Sequence, residues 1–229
     1  MHISFSTGWK SVIFEGKKSA LFKMGKMTTH ASEFHASSYP TFRINDYLCN
    51  QIMKKITLIT GGQRSGKSAY AESLALSLSP TPVYLATAHI WDEEFRQRVL
   101  MHQQRRGQNW TNIEEEKYLS RRADELRGRV VVVDCITLWC TNFFFDRTAR
   151  EWEQPSVDEA LEQLKQEFDL LTAVDATFIF VTNEIGSGGV SESAVQRRFT
   201  DLEGWMNQYV ASKADEVVLM VSGIAVKIK

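Results

Sequence analysis

The sequence has little of what marks a disulfide, zinc, membrane or nucleic-acid protein. Its 229 residues include three cysteines, Cys49, Cys135 and Cys140, with no C-x-x-C spacing. We therefore expect reduced thiols, as in a cytoplasmic protein, and no zinc site. No apolar stretch approaches the roughly 20 residues of a membrane helix. Lys and Arg number 27 against 28 Asp and Glu, so no positive excess suggests nucleic acid or an anionic membrane as a partner.

Residues 1–52 differ from the rest of the chain in composition. They are rich in Ser, Thr, His and Lys, and their apolar residues follow no sustained period. They contain no apolar core followed by a small-residue cleavage site, as a secretory signal would. Met53 then leads directly into an apolar run. We expect 1–52 to be a disordered, dispensable N-terminal extension and 53–229 to be the folded domain.

From residue 53 onwards, strand and helix patterns alternate. Most strand candidates are near-continuous apolar runs, which is typical of parallel strands covered on both faces. The predicted strands are 55–60, 82–87, 129–134, 176–182, 216–222 and 224–228, the last two forming a hairpin at the sheet edge. The predicted helices are 67–78, 91–106, 117–126, 156–172 and 193–213. This order predicts an α/β fold with a doubly wound, mostly parallel sheet.

The strongest motif is a complete match to G-x-x-x-x-G-K-[ST], formed by Gly61-Gly62-Gln63-Arg64-Ser65-Gly66-Lys67-Ser68. It follows a predicted strand and opens a predicted helix, as a P-loop must. The glycines let backbone N–H groups surround phosphate oxygens, and the helix N-terminus adds partial positive charge. Lys67 is then expected to reach the β- and γ-phosphates, and Ser68 to offer a hydroxyl to Mg²⁺.

Three further features are weaker when taken alone. Asp134 ends the run Val130-Val131-Val132-Val133, where an acid either helps to hold Mg²⁺ or only caps the next helix. His102 lies on a predicted helix among arginines, as a phosphorus-attacking nucleophile or as an ordinary exposed histidine. The segment 182–189 places polar groups after a strand, either as a ligand-contacting loop or as a plain connection.

Together these residues resemble the bifunctional adenosylcobinamide kinase / adenosylcobinamide-phosphate guanylyltransferase family, over essentially all of 55–229. The matching segments are Thr60–Ser68 with Ala71-Glu72, Tyr84-Leu85-Ala86-Thr87-Ala88, Asp92-Glu93-Glu94, Arg98-Val99, His102, Arg106, Trp110, Asp134–Trp139 with Thr141-Asn142, Val181–Gly186, Arg197, Phe199, Asp201, Gly204, Asn207-Gln208, Ala214–Val217, Val221-Ser222-Gly223 and Val226–Lys229. The resemblance implies a P-loop NTPase-like, RecA-like fold.

The resemblance also implies two reactions in cobalamin biosynthesis. A nucleotide γ-phosphate, from ATP or GTP, passes to the aminopropanol hydroxyl of adenosylcobinamide. GTP then gives GMP to an enzyme histidine with release of pyrophosphate, and GMP passes to adenosylcobinamide phosphate. The product is adenosylcobinamide-GDP. His102 falls on the guanylylated histidine of the family, and members resemble one another in forming homotrimers.

The implied site residues follow from the same matches. His102 and Lys67 are expected to be catalytic, and Ser68 and Asp134 to hold Mg²⁺. Expected nucleotide contacts are the P-loop residues 61–68 with Thr87, Ala88, His89, Gln103, Gln104, Arg105, Arg106, Glu114 and Asp134. Two alternatives stay open at this point, namely a P-loop small-molecule kinase without guanylyltransferase activity and a nucleotide-binding module without turnover.

Overall fold

The computed structural model describes residues 54–89, 93, 96, 97, 106–145 and 156–229. Within them, a seven-stranded sheet has the order β3-β2-β4-β5-β1-β6-β7. All neighbours pair in parallel except β6 and β7, which form the predicted antiparallel hairpin at one edge. The strands are β1 (Lys55–Gly61), β2 (Val83–Ala86), β3 (Thr111–Glu114), β4 (Val130–Asp134), β5 (Thr177–Val181), β6 (Glu216–Val221) and β7 (Ile224–Lys227).

Helices cover both faces of this sheet. They are α1 (Lys67–Leu78), α2 (Ala123–Leu126), α3 (Ile136–Phe144), α4 (Val157–Ala173) and α5 (Ala194–Lys213), with 3-10 turns at Leu119–Arg122 and Gly186–Gly188. On β4, Val131 and Val133 pack into the core under α3, α4 and α5, whereas Val130 and Val132 face the smaller core beside α1. Alternate residues of a strand point to opposite faces. The doubly wound α/β prediction is therefore confirmed.

Helix α4 shows how local sequence sets an element. The backbone N–H of Ser156 donates to Glu159 Oε2 at 2.8 Å, and the N–H of Glu159 donates to Ser156 Oγ at 3.2 Å. This capping box begins the helix where the sequence predicts it. Leu164, Phe168 and Leu171, spaced by four and three, are fully buried on one face.

The structure differs from the sequence prediction at three elements. Strand β3 was not expected, because Thr111–Glu114 is a short edge strand with a single buried residue. Helix α3 was also not expected, because it is buried nearly all round and its sequence therefore carries no helical period. The predicted helix 117–126 is a 3-10 turn followed by the short α2, and Arg122, the last residue of the turn, has φ −94° and ψ 9°.

Two of the three cysteines lie among the described residues. Cys135 and Cys140 are free and buried, while Cys49 lies outside the described part of the chain. Among the described helices, none is both long and apolar enough to cross a membrane. Most of the predicted helix 91–106, including His102, also lies outside the described residues.

Candidate active site

The P-loop turns from β1 into α1 along a path that requires glycine at two positions. Gly61 has φ 148°, and a Cβ there would collide with the carbonyl oxygen of Met220 on β6. Gly66 has φ 96° directly before the first residue of α1. Since left-handed backbone and close backbone approach both favour glycine, the two glycines of the motif are explained by the turn itself.

The side chain of Lys67 folds back onto the P-loop. Its side chain is buried, and Nζ donates to the carbonyl oxygen of Gly62 at 2.6 Å. Burial lowers the pKa of Lys67, and the nearby acids Cys135, Asp134 and Glu203 oppose that shift. A cation held against the loop backbone is suited to neutralise phosphate oxygens.

The tips of β4 and β5 complete a cleft in front of the loop, here called the phosphate cleft. It lies at the carboxyl edge of the parallel strands, where doubly wound sheets bind ligands. Its lining residues are Arg64, Ser65, Gly66, Lys67, Ser68, Ala69, Asp134, Cys135, Val181 and Asn183. The structure thus brings Asp134 to the P-loop, from which it is separated by more than sixty residues of chain.

Asp134 is oriented from behind by an aromatic side chain. Tyr84 Oη, on the neighbouring strand β2, donates to Asp134 Oδ2 at 2.7 Å. Burial and the carboxylate of Asp134 both raise the pKa of Tyr84, so the phenol stays a donor. The guanidinium of Arg106 stacks 3.5 Å from the centre of the Tyr84 ring. Arg106 Nε donates to Asn112 Oδ1 at 3.1 Å, and its buried Nη1 has no hydrogen-bond partner among the described residues.

A buried acid lies behind the other wall of the cleft. Glu203 on α5 is almost fully buried, and its Oε1 accepts from Thr137 Oγ1 at 2.6 Å. Burial raises the pKa of Glu203 to about 7, and the negative charge of Glu184 adds to the shift. The hydrogen bond from Thr137 and the charge of Lys67 act in the opposite direction. A carboxyl group that titrates near neutral pH therefore lies close to the phosphate cleft.

Ser68 and Asp134 are suitable ligands for Mg²⁺. Both line the phosphate cleft and offer hard oxygen atoms, a hydroxyl and a carboxylate. In the described residues there is no group of three or more His, Cys, Asp and Glu side chains that could hold a metal ion. Mg²⁺ is commonly held by one or two protein oxygens together with substrate phosphates.

A second pocket, here called the edge pocket, lies beside β2 and β3. It is lined by Ala88, Glu114, Glu115, Glu116, Lys117 and Tyr118. Ala88 and Glu114, both expected to contact nucleotide, therefore share one pocket. His89 Nδ1 lies 2.7 Å from Glu116 Oε1. Thr87 is fully buried, and its hydroxyl donates to the carbonyl of Cys135 at 2.8 Å and accepts from the Cys135 N–H at 2.9 Å.

Of the remaining expected site residues, three lie on the other side of the P-loop and four are outside the described part of the chain. Gly61, Gly62 and Gln63 line a depression on the other side of the loop, with Glu184 and Ser187. His102, Gln103, Gln104 and Arg105 lie outside the described residues.

Comparison with known proteins agrees with this geometry. A family model described as cobinamide kinase / cobinamide phosphate guanyltransferase matches residues 57–228, most of the chain. This chain belongs to that family. It is 38% identical over 179 residues to the bifunctional adenosylcobalamin biosynthesis protein CobU of Escherichia coli, covering 75% of this chain and 98% of the relative. The Salmonella typhimurium protein of the same name is 37% identical, with the same coverage. The Pseudomonas aeruginosa protein CobP is 35% identical, covering 75% and 96%.

Two solved structures show a distant likeness to this chain. The flagellar accessory protein FlaH from Methanocaldococcus jannaschii is 15% identical with a TM-score of 0.41, over 82% of this chain and 85% of that chain. A prototypical ATPase from a bacterial type III secretion system is 11% identical with a TM-score of 0.45, over 79% and 60%. These likenesses add nothing to the family assignment.

Sequence reasoning did not assign roles to three residues that shape the cleft, Tyr84, Thr137 and Glu203. Tyr84 carries a hydroxyl within the buried strand β2, which is a sign of a specific partner. Glu203 lies beside Leu202 and Met206 on the buried face of α5. An acid on such a face requires a hydrogen-bond partner. That partner, Thr137, is far away in sequence and becomes visible only in the fold.

Proposed function

We propose that this chain phosphorylates adenosylcobinamide and then guanylylates the product. In the first reaction the aminopropanol oxygen attacks the γ-phosphorus of ATP or GTP, the bond to the β-phosphate oxygen breaks, and the hydroxyl proton is released. Membership of the family supports this assignment, and the convergence of Lys67, Ser68 and Asp134 on one cleft is the observation that carries it.

The residues of the phosphate cleft have distinct roles in the first reaction. Lys67 stabilises negative charge on the transferred phosphoryl group, and backbone N–H groups of the loop hold the phosphates. Ser68 and Asp134 hold Mg²⁺, with Tyr84 orienting the carboxylate of Asp134. When bound, Mg²⁺ supplies positive charge that neutralises phosphate oxygens.

In the second reaction, a ring nitrogen of His102 attacks the α-phosphorus of GTP and pyrophosphate leaves. A phosphate oxygen of adenosylcobinamide phosphate then attacks the guanylyl phosphorus, the N–P bond breaks, and adenosylcobinamide-GDP forms. Covalent catalysis divides a difficult transfer into two easier steps. The edge pocket, with Ala88 and Glu114, is the proposed site of guanine-nucleotide contacts, together with Gln103, Gln104, Arg105 and Arg106.

Labelling with GTP that carries an α-phosphorus label tests the covalent step. We expect one labelled peptide containing His102, with a bond that is labile in acid and stable in base, and equimolar release of pyrophosphate. The His102→Ala variant is expected to lose the label and keep phosphorylation of adenosylcobinamide. Labelling that survives in this variant would exclude His102, whereas a wild-type chain that phosphorylates without labelling would be a kinase alone.

The proposal also covers the location, the oligomeric state and the active domain of the enzyme. The family resemblance supports a cytoplasmic homotrimer with its active domain in residues 53–229. Sedimentation of the full chain is expected to give three times the monomer mass. A chain that begins at Met53 is expected to retain both reactions.

A further inference from the structure

The end of β5 is tied to two helices through one hydroxyl group. Thr137 Oγ1, near the start of α3, donates to Glu203 Oε1 of α5 at 2.6 Å. The same oxygen accepts from the backbone N–H and from the side-chain Nδ2 of Asn183, each at 3.0 Å. Thr137 therefore connects a buried acid to a residue that lines the phosphate cleft.

Counting donors fixes the orientation of the Asn183 amide. A hydroxyl has one hydrogen and two lone pairs. An ionised Glu203 can only accept, so the hydrogen of Thr137 goes to Glu203 Oε1, and the Thr137 oxygen can only accept from Asn183. The side-chain nitrogen of Asn183 thus faces Thr137, and its oxygen Oδ1 is the atom of the amide left for a ligand in the cleft.

A second contact from α5 holds the backbone of Asn183. Asn207, one turn after Glu203, donates through Nδ2 to the carbonyl oxygen of Asn183 at 3.0 Å. Its own Oδ1 accepts from Thr182 Oγ1 at 2.7 Å. Side chain and main chain of Asn183 are therefore both anchored to α5, which restricts the residue to one arrangement beside Lys67 and Asp134.

The chemistry of Oδ1 selects its ligand. Phosphate oxygens are hydrogen-bond acceptors, as the amide oxygen is, so the two do not attract each other. An O–H group is the suitable partner in this cleft. Two O–H groups enter it in the proposed reaction, the hydroxyl of the phosphoryl acceptor and a water bound to the metal ion.

We propose that Asn183 Oδ1 accepts a hydrogen bond from an O–H group at the phosphate cleft, and that Glu203, acting through Thr137, is its positioning residue. This inference rests on the proposed kinase reaction and extends it to three residues with no assigned role. Asn183 would be the contacting residue, and Thr137 and Glu203 would keep its amide from turning.

Steady-state kinetics of the full chain test the contact. We expect Asn183→Ala to lower kcat/KM for phosphorylation of adenosylcobinamide about 3- to 10-fold, the usual effect of losing one hydrogen bond between neutral groups. A raised KM for adenosylcobinamide would identify the acceptor hydroxyl, and a raised Mg²⁺ requirement would identify the metal-bound water. Unchanged kinetics in both titrations would overturn the proposal.

Paired variants test the positioning role. Glu203→Leu and Thr137→Val remove the acceptor and the bridging hydroxyl, and each is expected to reproduce the kinetic defect of Asn183→Ala. Glu203→Gln and Thr137→Ser keep those groups and are expected to recover most of the lost turnover. If Glu203→Gln is as impaired as Glu203→Leu, the hydrogen-bond argument is wrong.

Glu167→Leu is a matched control for stability. Glu167 is also buried, and its Oε1 accepts from the Ser120 N–H at 2.6 Å, but it lies outside the cleft linings. We expect this variant to lower the melting temperature without changing the KM for adenosylcobinamide or the Mg²⁺ requirement. The same kinetic defect in this variant would show that lost stability, not positioning, explains the Glu203→Leu result.

A measurement without turnover separates this proposal from the proposed function. In NMR spectra, the Asn183 side-chain amide protons are expected to exchange slowly in the wild type and faster in Glu203→Leu. If the wild type does not phosphorylate adenosylcobinamide but the exchange difference is present, the proposed function fails and the positioning network stands. Equal exchange in both chains would overturn the network.

Discussion

The phosphate cleft and the edge pocket are built in different ways. The cleft lies in the middle of the sheet, where Lys67 and Glu203 are buried and hydrogen-bonded. The edge pocket lies beside the last strand on the opposite side from the hairpin, and its Glu114 and Tyr118 are exposed. The phosphate cleft, whose side chains are buried and held by hydrogen bonds, suits a step that must position phosphate groups. The edge pocket, which is open and acidic, suits selection among nucleotides. The following variants test that division.

The largest expected effect is from Lys67→Ala. Removing the buried ammonium group takes away charge stabilisation at the phosphate, so we expect phosphoryl transfer to fall about 100- to 1000-fold. Turnover at saturating substrates measures it. Lys55→Ala removes the same charge at the start of β1, where Nζ pairs with Glu216 at 2.8 Å, and is expected to keep its turnover. A loss below tenfold in Lys67→Ala would contradict the assigned role.

The next effect concerns stability and pH. Because the pKa of Glu203 is raised from 4.5 to about 7, its contribution to stability is complete below pH 4.5 and is lost as the pH rises through 7. The loss is roughly 3 kcal/mol. Glu203→Gln cannot titrate, so its unfolding free energy should fall less than that of the wild type between pH 4.5 and 8. Urea unfolding of both chains at several pH values measures this difference. If the unfolding free energies of the wild type and Glu203→Gln change equally with pH, the prediction is wrong.

A smaller effect is expected in the edge pocket. Glu114→Gln removes a carboxylate that can accept hydrogen bonds from a guanine base, so we expect guanylyl transfer to fall about tenfold relative to phosphoryl transfer. The ratio of pyrophosphate release to phosphorylated product measures it. Glu125→Gln, an exposed acid paired with Arg122 at 3.1 Å, is the control. If Glu114→Gln impairs both reactions equally, the two sites are not functionally separate.

The smallest effect is expected from Tyr84→Phe. The ring keeps its stacking with Arg106, but Asp134 loses the donor that orients its carboxylate. One hydrogen bond of about 1 kcal/mol corresponds to a roughly fivefold higher Mg²⁺ concentration for half-maximal turnover. Tyr70→Phe, on α1 outside the cleft lining, is the matched control. An unchanged or lower Mg²⁺ requirement in Tyr84→Phe would show that the phenol does not orient Asp134.

Elements with strong local signals were predicted from the sequence. The strands β1, β4 and β5 are apolar runs, and α4 has both a capping box and one apolar face. By contrast, α3 was missed because a helix buried on nearly every side has no polar face to reveal its period. β3 was missed because its backbone pairing with β2 stabilises it more than its own short sequence does.

In the candidate site, too, some features follow from local sequence and others only from tertiary packing. The sequence by itself determined the phosphate-binding loop, because a turn that needs glycine at Gly61 and Gly66 and a lysine at Lys67 is encoded within eight consecutive residues. Only the tertiary structure decided that Asp134 lies at that loop, that Tyr84 orients it, and that Glu203 reaches Asn183 through Thr137. These contacts join residues up to about seventy positions apart, and only the packing of strands and helices brings such residues together.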